Sequence, residues 1–388
     1  MLSIDGRLLR GAVELHLRAS DWTRHGHDGD PAYDEVILHA VYVNDLPDVV
    51  RTFNGSKVPT LELHGIIDLR PNADERDATL YMAALGSRTC LPTLSREAPQ
   101  LVRAVLRERG WQRLVEKQLR FSQELQVLTA PEALYRGLLD ALGYSANRQP
   151  MAAIGQRLPL QLLERFKRDD GVAGIAAALI GTGGFLPLAP ANQELLAGIA
   201  DTRTVEGLWE STRGAYALEP VRTSAWTLNR VRPSNHPVAR LAALAALIGG
   251  IEQASLFEQV LGSPLDGGKT WDRWLATARP PIGEARRRQI IVNIFAPFLA
   301  AYAEVTRDDS LTEQVAEDWE RLGGNVSDHV ARRTRRQIVG DVRFPIRLAL
   351  EEQGLHEIHR SGCSQLRCFE CPIARLASAH EPWDDATA

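Results

Sequence analysis

Gly11-Ala12-Val13-Glu14-Leu15-His16-Leu17 alternates apolar and polar residues. A period of two is the mark of a strand, so Glu14 and His16 project from one face and Val13, Leu15 and Leu17 from the other. Two further strand-like runs follow. Residues 36–43 are a β-branched, nearly continuous apolar stretch, and Leu61-Glu62-Leu63-His64 comes after a Val-Pro-Thr lead-in. Asn54-Gly55 is a turn signal between these two runs. Together they predict a small sheet.

From Arg76 onward the apolar residues recur at helical spacing. Helices are expected near 97–127, 131–143, 158–168, 237–251, 284–305, 311–337 and 346–360. The expected fold is therefore α+β: a small N-terminal mixed β-sheet over residues 1–72, followed by a large α-helical domain over 73–388. Gly181-Thr182-Gly183-Gly184 follows no strand and lacks the lysine of a phosphate loop, which argues against nucleotide binding there.

The 388 residues are 44% hydrophobic and 24% charged, ordinary values for globular domains. No apolar run reads as long enough to cross a bilayer, and the start resembles no signal peptide, so a soluble cytoplasmic protein without membrane partners is expected. The net charge of −4 does not by itself mark a nucleic-acid binder, but the charge is uneven. Arg286, Arg287 and Arg288 form one basic run, and Arg332, Arg333, Arg335 and Arg336 another; each is either a solvated helix face or a set of phosphate contacts.

Cys363, Cys368 and Cys371 are spaced C-x4-C-x2-C. Thiolates so close in sequence converge on one ion or cluster more readily than they form a disulfide, which would leave one unmatched. A fourth ligand is Cys90 or, in a Cys3His zinc site, His359. The spacing points to an iron–sulfur cluster or zinc. It also occurs in plant-type ferredoxins, but there the fourth cysteine lies downstream, and Leu366, Arg367 and Phe369 are bulkier than that loop carries.

Five of the ten histidines fall within residues 1–64. Beside Glu14 and His16, the stretch holds Asp21, His25 and His27, the last two flanking a glycine. A carboxylate with imidazoles can hold a metal and a water. Alternatively Asp21 caps a short helix and the histidines bond loop backbone.

The phrases VELHLRASDWTRHGHDGDPAYDEVILHAV, VPTLEL, LYRGLLDALGYSANRQP, RVRPSNHPVARLAALAAL, RRQIIVNIFAPFLAAY and CSQLRCFECPI resemble a bacterial family known as domain of unknown function 2851. The resemblance spans nearly the whole chain. It implies an upstream segment in relatives, a helix and a strand bearing a GPDF-like phrase, which this chain is expected to lack. With that segment, the order would be similar to the restriction-endonuclease-like core whose signature is Asp, then Glu-x-Lys. Such nucleases use carboxylates to hold a divalent cation, magnesium or manganese, that activates water against a phosphodiester. Here His16 stands where the lysine would be.

The same resemblance marks Arg232-Pro233-Ser234-Asn235-His236-Pro237 and Arg240. The expectation is Asn235 as a helix cap with Pro237 in the first turn, and Arg232, Arg240, Arg287 and Arg288 as candidate nucleic-acid contacts. Tyr144, Asn147 and Arg148 read as packing residues of a helix-to-helix turn. The leading expectation is a metal-dependent nuclease-like protein acting on nucleic acid. The alternatives are a non-enzymatic helical scaffold with a structural metal centre, and a small-molecule metallohydrolase.

Overall fold

Each alternating run becomes a strand. A computed structural model describes residues 2–4, 7–64, 89–144, 146–228, 235–324, 328–365 and 367–380. The chain divides into two units, Met1–Thr79 and Leu80–Ala388. The boundary expected at 72/73 lies outside the described residues.

In the first unit, β1 (Leu2–Ile4) pairs antiparallel with β2 (Arg7–Leu9). β3 (Ala12–Arg18), β4 (Val36–Val43) and β5 (Thr60–Glu62) form a parallel sheet in that order. Both strand senses are thus present, and α+β is the fold class. Asn54-Gly55 does turn the chain, with Gly55 at φ 83°, but it closes an isolated Arg51–Lys57 bridge rather than a hairpin. β4 and β5 are parallel and need a crossover, which a two-residue turn cannot supply. Trp22, Val36, Val50 and Val58 make this unit's core. Along β3 the alternation holds with an unusual outcome: Leu15 and Leu17 are 69% and 74% exposed, while His16 faces inward toward His39, which in turn packs on Trp22.

The second unit is helical. Pro99–Glu124, Ala130–Gly143, Pro237–Gly249 and Ala349–Ser361 realise the expected helices within a few residues at most ends. Leu160–Thr182 is two helices meeting at a kink at Gly171 (φ 63°), the first ending near the expected stop and the second outside the expected set. The helix expected over 311–337 is two, Asp309–Arg321 and His329–Val339. The reason lies in Gly324: a Cβ there would stand 2.2 Å from the Leu348 carbonyl oxygen, so the chain passes against another backbone instead of continuing the helix. Helices over Arg148–Arg157, Thr202–Ala215, Leu256–Leu261 and Lys269–Leu275 lie outside the expected set.

The segment Glu284–Thr306 corrects another expectation, since by length and composition it is long and apolar enough to cross a bilayer. Its apolar window is 67% buried among the unit's own residues, as in a core helix. A π-helical turn, Ile291–Phe295, interrupts it just before Pro297, which has no N–H to give the Asn293 carbonyl in a regular helix.

Asp328 caps the His329–Val339 helix by accepting from Ala331 N at 2.9 Å, and His356 Nε2 lies 3.1 Å from its other oxygen. Burial alone would raise its pKa, but the His356 contact and two backbone N–H groups hold it down at about 2. A depressed carboxylate stabilises the fold above its ordinary value of 3.8, and the contribution is lost as pH falls toward 2. Its side chain is 36% exposed, so solvent screening leaves about 1 kcal/mol of that contribution. Asp328→Asn keeps a good cap. Urea titration should find the variant about 1 kcal/mol less stable than the parent near neutral pH, with the gap closing by about pH 2.

Candidate metal centres and basic surfaces

β3 carries Glu14 and His16, and the loop after it returns His25 and His27 to the same place. Gly26 between them has φ 77°, a left-handed turn that favours glycine and lets both imidazoles converge. One ligand nitrogen from each of His16, His25 and His27 lies within 4.8 Å of the other two. Glu14 Oε1 is 3.8 Å from His16 Nε2 and 3.7 Å from His27 Nε2. His25 Nδ1 stands 3.2 Å from His16 Nε2. The rings are braced from behind: His27 stacks on Tyr33 at 3.7 Å between centroids, and Trp22 lies edge-on to it.

His39, from β4, is fully buried, and its Nε2 is 2.9 Å from His16 Nδ1. Burial, followed by His16 and His27, pushes its pKa down to about 4. His16 is lowered by burial as well, against the pull of Glu14. Both rings are therefore neutral near pH 7, the form in which an imidazole ligates. Sequence reasoning counts His39 in the N-terminal histidine cluster without naming it a site residue; its register opposite Glu14 across the parallel pair is what brings it here. Asp21 is not one of the converging donors, though its charge is near enough to favour protonation of His16 and His39. It pairs with Arg24 and accepts from Arg18 N at 3.3 Å, a role in fixing the loop.

The helical unit gathers the four cysteines, none of them in a disulfide. Cys90 is held beside the His329–Val339 helix by its N–H to Gln337 O at 2.9 Å. Burial pushes the Cys363 thiol up to about 12, and Cys371, Cys90 and Cys368 are all near enough to push the same way. His359 keeps different company: burial lowers its pKa first, then Arg333, His356 and His329. The structure thus brings Cys90 to the three C-terminal thiols. His359 sits among basic side chains.

The candidate nucleic-acid arginines are largely engaged. Arg287 forks onto Asp272 at 2.8 and 3.2 Å, and Arg288 bonds Glu284 at 3.0 Å. Arg240 is buried, donates to Leu142 O at 2.7 Å and lies over the Tyr144 ring. Arg232 lies outside the described residues. The Pro237–Gly249 helix is capped one residue later than expected, by His236, whose ring accepts from Val238 N at 3.3 Å. Asn235 instead accepts from the Tyr144 hydroxyl at 2.8 Å.

No curated protein and no solved structure matches this chain. The sequence model of a family described as protein of unknown function (DUF2851) matches residues 1–265, which include the histidine cluster and Cys90 but not the C-terminal cysteines, and the chain belongs to that family.

Proposed function

We propose that the N-terminal unit is a metal-dependent hydrolytic centre of nuclease-like type, with Glu14, His16, His25 and His27 as its donor set and a nucleic-acid phosphodiester as its substrate. The observation that carries this reading is the convergence of three imidazole nitrogens within 4.8 Å, with the Glu14 carboxylate beside them. A donor set of three imidazoles and one carboxylate suits zinc or a neighbouring transition ion better than magnesium, which prefers oxygen. Such an ion, when bound, supplies Lewis acidity and a water acidic enough to ionise near neutral pH. The protein's part is to hold the ligands. His39 fixes the His16 ring through Nδ1, leaving Nε2 toward the cluster, and Tyr33 and Trp22 set the plane of His27. The phosphodiester rests on the Glu-x-His strand and its similarity to nuclease cores.

Cobalt titration of the chelator-stripped chain tests the centre, because imidazole ligation lacks the intense thiolate charge-transfer bands of a cysteine site. His27→Ala and Glu14→Ala should each weaken ion binding at the imidazole site by about tenfold or more. Cleavage of DNA or RNA should require the ion and fall by a similar factor or further in Glu14→Ala. Equal cleavage by parent and variant, or none with zinc, manganese or magnesium, rules the reading out.

The four thiols support a second, separate role. We infer that they hold a structural iron–sulfur or zinc centre in the helical unit, with Cys90 rather than His359 as the fourth ligand. Thiolates are the donors both groups share.

A further inference from the structure

The helical unit contains a cleft of about 780 Å³ between the Pro99–Glu124, Ala130–Gly143 and Ala349–Ser361 helices and the π-helical turn. Arg113, Lys117, Arg120, Arg148, Arg286 and Arg360 line it, against two lining carboxylates, Glu116 and Asp140. We propose that this cleft binds a phosphate chain, either the phosphodiester backbone of a nucleic acid or the polyphosphate of a free nucleotide. Its lining shares no residue with the imidazole centre, and of the two basic runs singled out by sequence only Arg286 contributes to it.

Four of the six cations have carboxylate partners. Arg148 forks onto Asp140 at 2.6 Å, which also takes Arg120 at 3.3 Å. Arg360 bonds Glu116 and Glu357, and Arg113 is 3.8 Å from Glu357. Lys117 and Arg286 differ. Among the described residues neither has a carboxylate within ion-pair distance, and their acceptors are neutral: Asn293 and Gln353 for Lys117, the Ala141 carbonyl for Arg286. Burial, then Arg113 and Arg120, drives the Lys117 pKa well below the usual lysine range, against the weaker opposing pull of Glu352 and Glu116. A desolvated ammonium with no carboxylate in contact is costly to keep charged unless an anion joins it.

Two more features point to a ligand. Asn293 reaches Lys117 from the π-helical turn, a distortion common at functional sites. Arginine forks spread over several helices match a chain of phosphates better than one carboxylate. Tyr144, whose ring lines the cleft, carries the guanidinium groups of Arg286 and Arg240 at 3.1 and 3.5 Å from its centroid. With both cations on it, that ring is a poor platform for a base, so recognition falls on phosphate.

The test uses the whole chain with its metal centres intact and a phosphorothioate backbone that resists cleavage. A fluorescent single-stranded oligonucleotide is titrated by anisotropy, with ATP and inorganic triphosphate as competitors. Binding should weaken by about tenfold in Lys117→Met and in Arg286→Gln, with unchanged circular dichroism. For the strand, the slope of log affinity against log salt should shrink by about 0.7 per contact removed. Competitors that fail to displace the strand identify the backbone as ligand; competitors that bind in its place identify the free polyphosphate. The proposal is overturned if no phosphate ligand binds the parent, or if both variants bind as the parent does. Binding is read by anisotropy and hydrolysis by cleavage of an unmodified strand with added ion, so failure of the hydrolytic reading and failure of this one are distinguishable.

Discussion

Gly354→Ala should destabilise the helical unit by about 3 kcal/mol or more, although alanine is the better helix former. Gly354 lies inside the Ala349–Ser361 helix, where a Cβ would stand 1.9 Å from the Leu106 carbonyl oxygen and 2.9 Å from its Cα. The contact is reciprocal. A Cβ on Gly110, in the Pro99–Glu124 helix, would stand 2.1 Å from the Leu350 carbonyl oxygen. Backbone meets backbone at both points, so no side chain can turn aside and the helices must separate. Separation opens gaps around Leu106, Leu350, Leu355 and Ile358, all buried. The same change at Gly207, inside Thr202–Ala215 with nothing within 4 Å of its added Cβ, should instead stabilise by up to about 1 kcal/mol. Urea unfolding of both variants checks the pair. A Gly354→Ala chain as stable as the parent would show that the helices can part at no cost.

These glycines show what was legible in the sequence and what was not. A glycine amid helical periodicity signals a close approach, but not which backbone it meets. Periodicity placed the long helices because their apolar stripes are continuous. It missed Leu256–Leu261 and Lys269–Leu275, which are too short for a stripe to repeat, and also Arg148–Arg157 and Thr202–Ala215, for which length is not the reason. On β3 the period of two put Glu14 and His16 on one face, while tertiary packing made that polar face the inward one. The convergence of His25 and His27 was legible from their spacing about Gly26. His39 was not, because its place depends on parallel register, and register is a pairing between segments distant in sequence. The cleft was illegible for the same reason: three of its cations come from the Pro99–Glu124 helix and the other three one at a time from helices distant in sequence. The run Arg286-Arg287-Arg288 reads as a single block, yet helical geometry sends Arg286 into the cleft and Arg287 and Arg288 onto Asp272 and Glu284.

Cys90→Ala should lower both the metal content and the stability of the chain, whereas His359→Ala should leave the metal in place. Cys90 precedes the Pro92–Glu97 helix, and Cys371 precedes Pro372–His380, so a shared metal would tie the start of the helical unit to its end. The core there is small: Leu91, Val102, Leu106, Ile338, Phe344, Leu355 and Ile358 pack with Cys368 and Cys371. Without a metal, trimming one thiol to alanine removes a small apolar group, a loss of about 1 kcal/mol. With one, it removes a ligand whose bond contributes to folding, and the loss should be several-fold larger. Zinc–sulfur bonds of about 2.3 Å bring sulfurs to about 3.8 Å of one another. Among the described residues no three of these thiols have sulfurs all within 4.8 Å of one another, so zinc would have to draw them in. An iron–sulfur cluster would hold the same four thiolates farther apart than a single zinc ion. Anaerobic purification with iron, sulfide and zinc analysis, followed by thermal unfolding of parent, Cys90→Ala and His359→Ala, separates the cases. A brown parent, a colourless and less stable Cys90→Ala, and an unchanged His359→Ala are the expected results. Equal metal content in parent and Cys90→Ala would remove Cys90 from the centre.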